Sequence, residues 1–508
     1  MMQPRAIQRL GVSIFVPQRA RRLVPKEYEI IYVDTAYFGD SKPDTVKKQI
    51  KDLAIVLSNE RLPSSGNIIA YADRQKDRTG IGLSGNEGSG RAVYYGDRFN
   101  ILGVGKTTLC KSIVQNHSTG RLEIVGAMRR IILSQWINYF TKRTPVHPLL
   151  IALKETTSVK WNPDPIPLSL LIRIDNGDLD RPSHVEQSPE ISIHFEKIIS
   201  EYAKLDAECF AYRILQGAWS TSNYSLNGCM IDLESASFVK YRSPSYTSSS
   251  KHPHNRFGYE GLGLLRILRQ LAGIKNISAT NIERHFYRER RKHLGRCFLS
   301  LLGMPDDLVA SFFAKHQNRV LYISGQFETL SKKINTHTAC LNLYAPIPDN
   351  QDPSLLNMSN LFKNLAELYG SPHAETKAFE YLIRKEILPR MQLKQKNLCD
   401  ETPHNQTETF LKDRVIVSYD QSENFLKETK NFINDLFRLL DFFDSEKYFE
   451  KKDKWDHRLR AINQDIPPMY ELNKQLISLA TSYRLGVISP QALGAKLETL
   501  CTLPIRSM

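Results

Sequence analysis

Hydrophobic periodicity changes once along this 508-residue chain, and that change constrains its fold more than any single motif. Over the first 110 residues, short apolar runs of strand length alternate with polar turns, as at Tyr28–Val33, Ile68–Tyr71, Ala92–Tyr95 and Phe99–Leu102. A helical pattern covers Ile124–Phe140, and the run Leu168–Ile174, after Pro163, Pro165 and Pro167, reads as another strand. Beyond residue 190 helices dominate, apart from a β-ribbon expected at about 229–241. A helix over 262–272 puts Leu264, Ile267, Leu268 and Leu271 on one face, with Gly273 as its C-terminal stop. Leu361, Leu365 and Leu368 before Gly370, and Phe432, Leu436, Leu439, Leu440 and Phe443, form further stripes of helix-packing type. Ser243–Ser250 and Cys399–Thr409 read as loops. The expectation is an α+β chain of about three modules with a strand-rich first part and a helical remainder.

Charge and cysteine content narrow the partners. Lys and Arg total 69 against 54 Asp and Glu, a formal charge of +15, which favours an anionic ligand or partner. Seven cysteines (Cys110, Cys209, Cys229, Cys297, Cys340, Cys399, Cys501) include no C-x-x-C pair, which argues against a zinc module or a secreted disulfide framework. A reducing, cytoplasmic setting is the default expectation. No stretch of about 18 apolar residues exists, so no membrane-spanning helix is expected. Residues 1–26 carry Arg5, Arg9, Arg19, Arg21, Arg22 and Lys26 and no acid, the bias of an organellar transit peptide, with a mitochondrial location as the alternative. Pro4 and Pro17 interrupt an amphipathic helix there, so the plainer reading is a basic arm lying on the surface.

Several constellations can carry chemistry. Gly103-Val104-Gly105-Lys106-Thr107-Thr108 ends like a P-loop, but the glycine needed five residues earlier is Asn100 and no apolar-faced helix opens after Lys106. A glycine turn between strands fits it better. Gly82, Gly85, Gly88 and Gly90 share one nine-residue window, a density that implies close backbone approach to something. Asn223 and Asp232, nine residues apart, can present two oxygen ligands to one Mg²⁺, or simply end a hairpin turned by Asn227-Gly228 in type I′ geometry. Arg173 and Arg181 can clamp phosphate oxygens, or form surface ion pairs with Asp175, Asp178 or Asp180. The basic run Arg284–Arg296, with Phe286 and Tyr287, can bind nucleic acid or form a solvated helix face.

The order of these features resembles the SelO (selenoprotein O) family. Gly88-Ser89-Gly90-Arg91-Ala92-Val93 is similar to that family's Gly-Asp-Gly-Arg-Ala turn. Ile101-Leu102-Gly103-Val104-Gly105 is similar to its Leu-Lys-Gly-Ala-Gly, and Thr119-Gly120-Arg121 to the Asp-Gly-Arg ahead of its first long helix. Arg173 and Arg181 look like the family's two arginines, with one extra residue between them. Gln216 to Ser225, followed by Ile231-Asp232, matches its Asn-to-Asp segment with the spacing kept. The resemblance covers roughly residues 68–272.

That resemblance implies a two-lobed atypical protein-kinase-like fold, with a basic N-terminal extension at 1–60, a β-rich N-lobe at 61–165, a C-lobe at 166–345 and a helical C-terminal extension at 346–508. It implies ATP and Mg²⁺ as cofactors and AMP transfer to Ser, Thr or Tyr hydroxyls of a protein substrate. Carried onto this chain, Asn223 and Asp232 would hold the metal, with Asp232 also catalytic. Arg173 and Arg181 would grip phosphates, and Gly88, Gly90 and Gly120 would let the nucleotide approach, with Arg91, Lys106 and Arg121 as further cationic contacts. Three departures stand out: Leu102 replaces the family's lysine, Arg130 falls where the lysine's glutamate partner belongs, and Ser222 occupies the position of the catalytic base. Serine is no base at neutral pH without help. A nucleotide-binding interaction protein without catalysis is therefore an alternative, and a nucleic-acid-binding protein centred on Arg284–Arg296 a more distant one. Cys501 is expected to be a buried, inert thiol.

Overall fold

In the computed structural model the described residues lie within 3–333, 338–340, 427–439 and 469–502, with short gaps that include 59–67, 77–85, 112–117, 217–219 and 248–260. Gly82, Gly85, the 361–370 stripe, Leu440, Phe443 and the 399–409 segment fall outside them.

The chain is a mixed α+β protein. Helix α1 (Arg5–Leu10) leads into strands β1 (Phe15–Arg22) and β2 (Tyr28–Val33), helix α2 (Pro43–Leu53), and strands β3 (Ile55–Leu57), β4 (Ile68–Asp73), β5 (Ala92–Tyr95) and β6 (Phe99–Leu102). A short β7 (Leu122–Glu123) runs into helix α3 (Ile124–Phe140), followed by the long β8 (Leu149–Val159) and β9 (Asn162–Ile174). These strands form one antiparallel sheet in the order β2-β8-β9-β6-β5-β4-β1-β3, with β7 pairing β9 off that path. Helices α4 (Pro182–Gln187), α5 (Phe195–Tyr212), α6 (Gly261–Ile274), α7 (Ile282–Leu301) and α8 (Asp306–Lys333) follow, then α9 (Met469–Arg484) and α10 (Pro490–Cys501).

Strand alternation divides the core in two. Val93, Tyr95, Phe99, Ile101, Ile172 and Ile174 point to one face and pack with Ile50 and Leu53 of α2. Ala92, Tyr94, Leu102 and Leu171 point to the other, where they meet α3 and, beyond it, α5, α6, α9 and α10. Helix α3 is apolar nearly all round and 13 of its 17 residues are buried, so its two buried arginines must find partners inside the protein. Helices α9 and α10 close the far side of this layer: the Trp136 indole N–H donates to the Leu500 carbonyl at 2.9 Å. A Cβ on Gly494 would stand 2.1 Å from the Ile31 carbonyl oxygen, so α10 lies directly on β2.

Several expectations change here. Residues 1–26 are not an arm on the surface: Ala6, Ile7 and Leu10 are buried, β1 pairs with both β3 and β4, and Arg9 bonds Asp175 and Asp180. Neither residue-4 nor residue-17 proline obstructs this, because Pro4 precedes a helix of one and a half turns and Pro17 lies in a strand. Helix α6 passes through Gly273 and ends later in a Schellman motif, with Asn276 at φ +52° and Ile277 N–H donating to Ala272. Of the expected ribbon at 229–241, the described residues show a Tyr224–Met230 bridge and a two-residue pairing of Ile214–Leu215 with Ser237–Phe238. Within the serine-rich stretch, Ser245–Thr247 pairs with Thr338–Cys340.

Candidate functional site

Cross-strand register builds the centre of the site. Asn100 on β6 lies opposite Arg173 on β9 and opposite Tyr94 on β5, so Tyr94, Asn100 and Arg173 form one row on the face that looks toward α3. Leu102 is in the next row of the same face, buried between Ala92 and Leu171. The Arg173 guanidinium, 3% exposed, donates to Asn100 Oδ1 through Nη2 at 2.7 Å and Nε at 3.2 Å, and its Nη1 lies 3.4 Å from the Ile231 carbonyl. Both acceptors are neutral. A buried cation with neutral partners is costly, and burial, with Arg181 and Arg130 nearby, lowers its pKa to about 9. It remains a cation at pH 7.

Arg130 reaches the same place from α3. It is 2% exposed, and its Nη2 is 3.0 Å from Asp232 Oδ1. The Asp232 carboxylate is one-third exposed, so it forms the solvent-facing edge of the cluster. Gln216 Nε2 fixes the Asp232 backbone carbonyl at 2.8 Å, and Ile231 N–H donates to Asn223 at 2.9 Å. His147 is buried beside both guanidiniums; burial, then Arg173 and Arg130, push its pKa well down, so it is neutral. The buried Tyr94 hydroxyl has no hydrogen-bond partner.

The loop carrying Asn223 and Asp232 differs in detail from the expected type I′ hairpin. Gly228 N–H donates to the Ser225 carbonyl, Gly228 has φ +78°, and Asn227 stays at negative φ, which is a type I turn closed by a left-handed glycine. Asn227 is held by Asp178 at 2.7 Å. The Ser222 hydroxyl hydrogen-bonds the Ser220 hydroxyl, and Ser222 N–H donates to Ser220 Oγ at 3.0 Å.

Arg181 follows β9 at the mouth of α4. Its Nη1 donates to Gln75 Oε1 at 3.1 Å, Gln75 in turn donates to Asp73, and His184 Nε2 is 2.8 Å from the same carboxylate. The Arg181 backbone N–H donates to His184 Nδ1, which places the ring proton on Nε2, facing Asp73. Burial raises the Asp73 carboxyl, but His184, Arg181 and Gln75 outweigh it and hold the group well below the usual carboxylate range. The expected surface pairs of Arg173 and Arg181 with neighbouring aspartates are absent among the described residues: Asp175 and Asp180 are taken by Arg9, and Asp178 by Asn227.

The remaining sequence-derived residues form an adjoining hub. The turn at 88–91 is wrapped by 103–109, with Thr107 N–H donating to Gly90, Thr107 Oγ1 to Ser89, and Gly103 N–H to Arg91. A Cβ on Gly88 would stand 2.3 Å from the Asp73 carbonyl oxygen, so this glycine is required by the protein's own backbone at the end of β4. Gly120, at φ +66°, lies against the Gly105–Lys106 peptide for the same reason. Lys106 is exposed, and Arg121 pairs with Glu155 at 3.3 Å. Residues 103–111 are non-helical, so no helix opens immediately after Lys106.

Thus Arg173, Arg181, Ser222, Asn223 and Asp232 are brought to one region, joined at the Asp73 end by Gly88. Sequence reading missed Tyr94, Asn100, His147 and Gln216, and took Arg130 only as a lost glutamate. A strand register for β5, β6 and β9 would have flagged Asn100 opposite Arg173; nothing in the local sequence marks His147. Within Arg284–Arg296, Arg290 is buried between Asp206 and Glu328, Glu289 meets both Arg288 and Lys292, and Arg296 lies over the Phe313 ring, while Arg284 and Arg291 are exposed. Cys501 is buried and its thiol is pushed up to about 12, as expected of an inert group.

Magnesium was implied by resemblance. The one carboxylate of the Asn223–Asp232 pair already faces a guanidinium, and among the described residues no group of three His, Cys, Asp or Glu stands together. The arrangement does not fit a resident Mg²⁺ at Asp232 while Arg130 holds it, and no step below is routed through the ion. No protein-family model matches the chain, and no curated protein matches it.

Proposed function

We propose that this chain is a kinase-like, two-lobed nucleotide-dependent transferase that binds ATP over the Arg130–Arg173–Asp232 cluster and passes AMP to a Ser, Thr or Tyr hydroxyl of a protein. In this reading the sheet through β9, with α3, is the N-lobe and the helices that follow are the C-lobe. The observation that carries it is the gathering of Arg130 and Arg173 beside one partly exposed carboxylate, with Arg181 close enough to act on Arg173, a cationic floor suited to an anion of several charges. The resemblance to SelO supplies the reaction class.

The chain's own groups then have distinct tasks. Arg173 and Arg181 neutralise phosphate oxygens. The Asn100 carboxamide holds Arg173 in place. The acceptor hydroxyl attacks the α-phosphorus, the bond from that phosphorus to the bridging oxygen breaks, and pyrophosphate leaves. The hydroxyl proton goes to Asp232, the exposed carboxylate nearest the cluster. Ser222 contributes no base; its hydroxyl is engaged with Ser220.

Incubating the chain with ATP labelled at the α-phosphate tests this: protein-bound label that disappears in Asp232→Asn is expected. Label arriving only from the γ-phosphate would make the chain a kinase instead. The second reading, nucleotide binding without transfer, is favoured by the Leu102 and Ser222 substitutions. It predicts a melting shift with ATP and no label on protein.

A further inference from the structure

We infer that Arg130 is the phosphate-binding cation of this site, taking the place both of the lysine missing at Leu102 and of a metal at Asp232, so that a nucleoside polyphosphate binds here without magnesium. The inference rests on the ATP reading above and deepens it. Leu102 belongs to the same sheet face as Arg173 and looks toward α3, but its row is wholly apolar. A cation serving that row's phosphate has to come from the facing helix, and Arg130 is the α3 residue whose guanidinium reaches Asp232, at 3.0 Å. Its charge is fixed in place because α3 is buried on nearly all sides.

Two neighbouring features point to an anion as what is received. Arg173 is buried on neutral acceptors only, and the buried Tyr94 hydroxyl beside it has no hydrogen-bond partner. A phosphate group entering from the Asp232 edge would accept from Arg130 and Arg173 together, supplying the charge that Arg173 lacks. Arg130 would exchange Asp232 for phosphate, or bridge the two. A divalent cation at Asp232 would instead stand within contact range of a fixed guanidinium, and the like charges oppose it. Arg130 and magnesium therefore compete for one carboxylate.

The test is titration calorimetry of the full chain with ATP, in buffer containing Mg²⁺ and in buffer containing EDTA. The expected result is wild-type affinity that agrees within about threefold between the two buffers, a margin below one tenfold step of 1.4 kcal/mol. In Arg130→Gln, affinity in EDTA should fall by at least about tenfold and be partly restored by Mg²⁺, because Asp232 is released to take the ion. Arg130→Lys, which keeps the charge, should retain metal-independent binding, and melting curves without ligand show whether each variant is folded. Wild-type binding that requires Mg²⁺ overturns this inference and leaves the ATP reading standing, as does Arg130→Gln binding normally in EDTA. Absence of ATP binding in both buffers overturns the two together.

Discussion

Two arginines in this molecule are equally buried and opposite in circumstance. Arg290 on α7 lies between Asp206 and Glu328, two carboxylates that match its charge. Arg173 on β9 bonds only an amide oxygen and a backbone carbonyl, with Arg181 and Arg130 and, more weakly, Asp232 as its charged neighbours. The first is a closed structural ion pair, and of the basic residues beside it in sequence Arg288 and Lys292 meet Glu289. The second is a buried charge that no carboxylate contacts directly among the described residues. If the proposed nucleotide site holds, a solitary arginine in an apolar strand is a better guide to it than the denser basic run.

The comparison can be broken most sharply by removing each side chain in turn. Arg290→Met should leave Asp206 and Glu328 buried without a counter-ion and cost about 3–5 kcal/mol in denaturant unfolding, with ATP affinity, measured under conditions where the variant is folded, unchanged. Asp73→Asn should cost about 2–3 kcal/mol at pH 7, since it breaks a buried charged hydrogen-bond network. The sign of its pH dependence is fixed. A carboxylate depressed on folding stabilises above its unfolded pKa, about 4, and that stability is lost as pH falls; the wild type should therefore lose more stability than Asp73→Asn on acidification below about pH 4. Arg173→Met should change stability by less than about 1 kcal/mol, toward the more stable side, because no charged partner is abandoned. The same variant should lose ATP binding, and a large destabilisation would show that Arg173 is an ordinary structural pair. Smallest of all, Arg284→Gln, Arg288→Gln and Arg291→Gln, at exposed positions, should each shift stability by less than about 0.5 kcal/mol and leave ATP affinity intact.

Local sequence carried the strands and the central helix well. The bounds of β2, β5, β6 and α3 are those read from periodicity, because each is a continuous apolar run with a polar or glycine-bearing turn at its ends. It failed where distant partners decide. Residues 5–22 look like a basic tail until Asp175 and Asp180 are placed beside Arg9 and β4 beside β1. Glycine density at 82–90 indicates close backbone approach without saying to what, and Gly88 makes that approach to the backbone of Asp73. Arg130 is the clearest case. In sequence it reads only as a departure from the resembling family's glutamate, and only the packing of α3 against the β5–β6–β9 face shows what the arginine touches.

The docking of α10 on β2 sets a clock for the folding of the sheet. Glu29 meets the Tyr483 hydroxyl across 454 positions of sequence, and Trp136 meets Leu500 across 364. At a synthesis rate of roughly 5–20 residues per second, the β2 edge and the outer side of α3 wait about 20 to 90 seconds for their cover. During that interval an apolar layer is open to other chains. The strand-rich half of this protein is made early and finished late, so its yield in a cell should respond to chaperone supply and to elongation speed through the intervening helices more than to the intrinsic stability of the sheet.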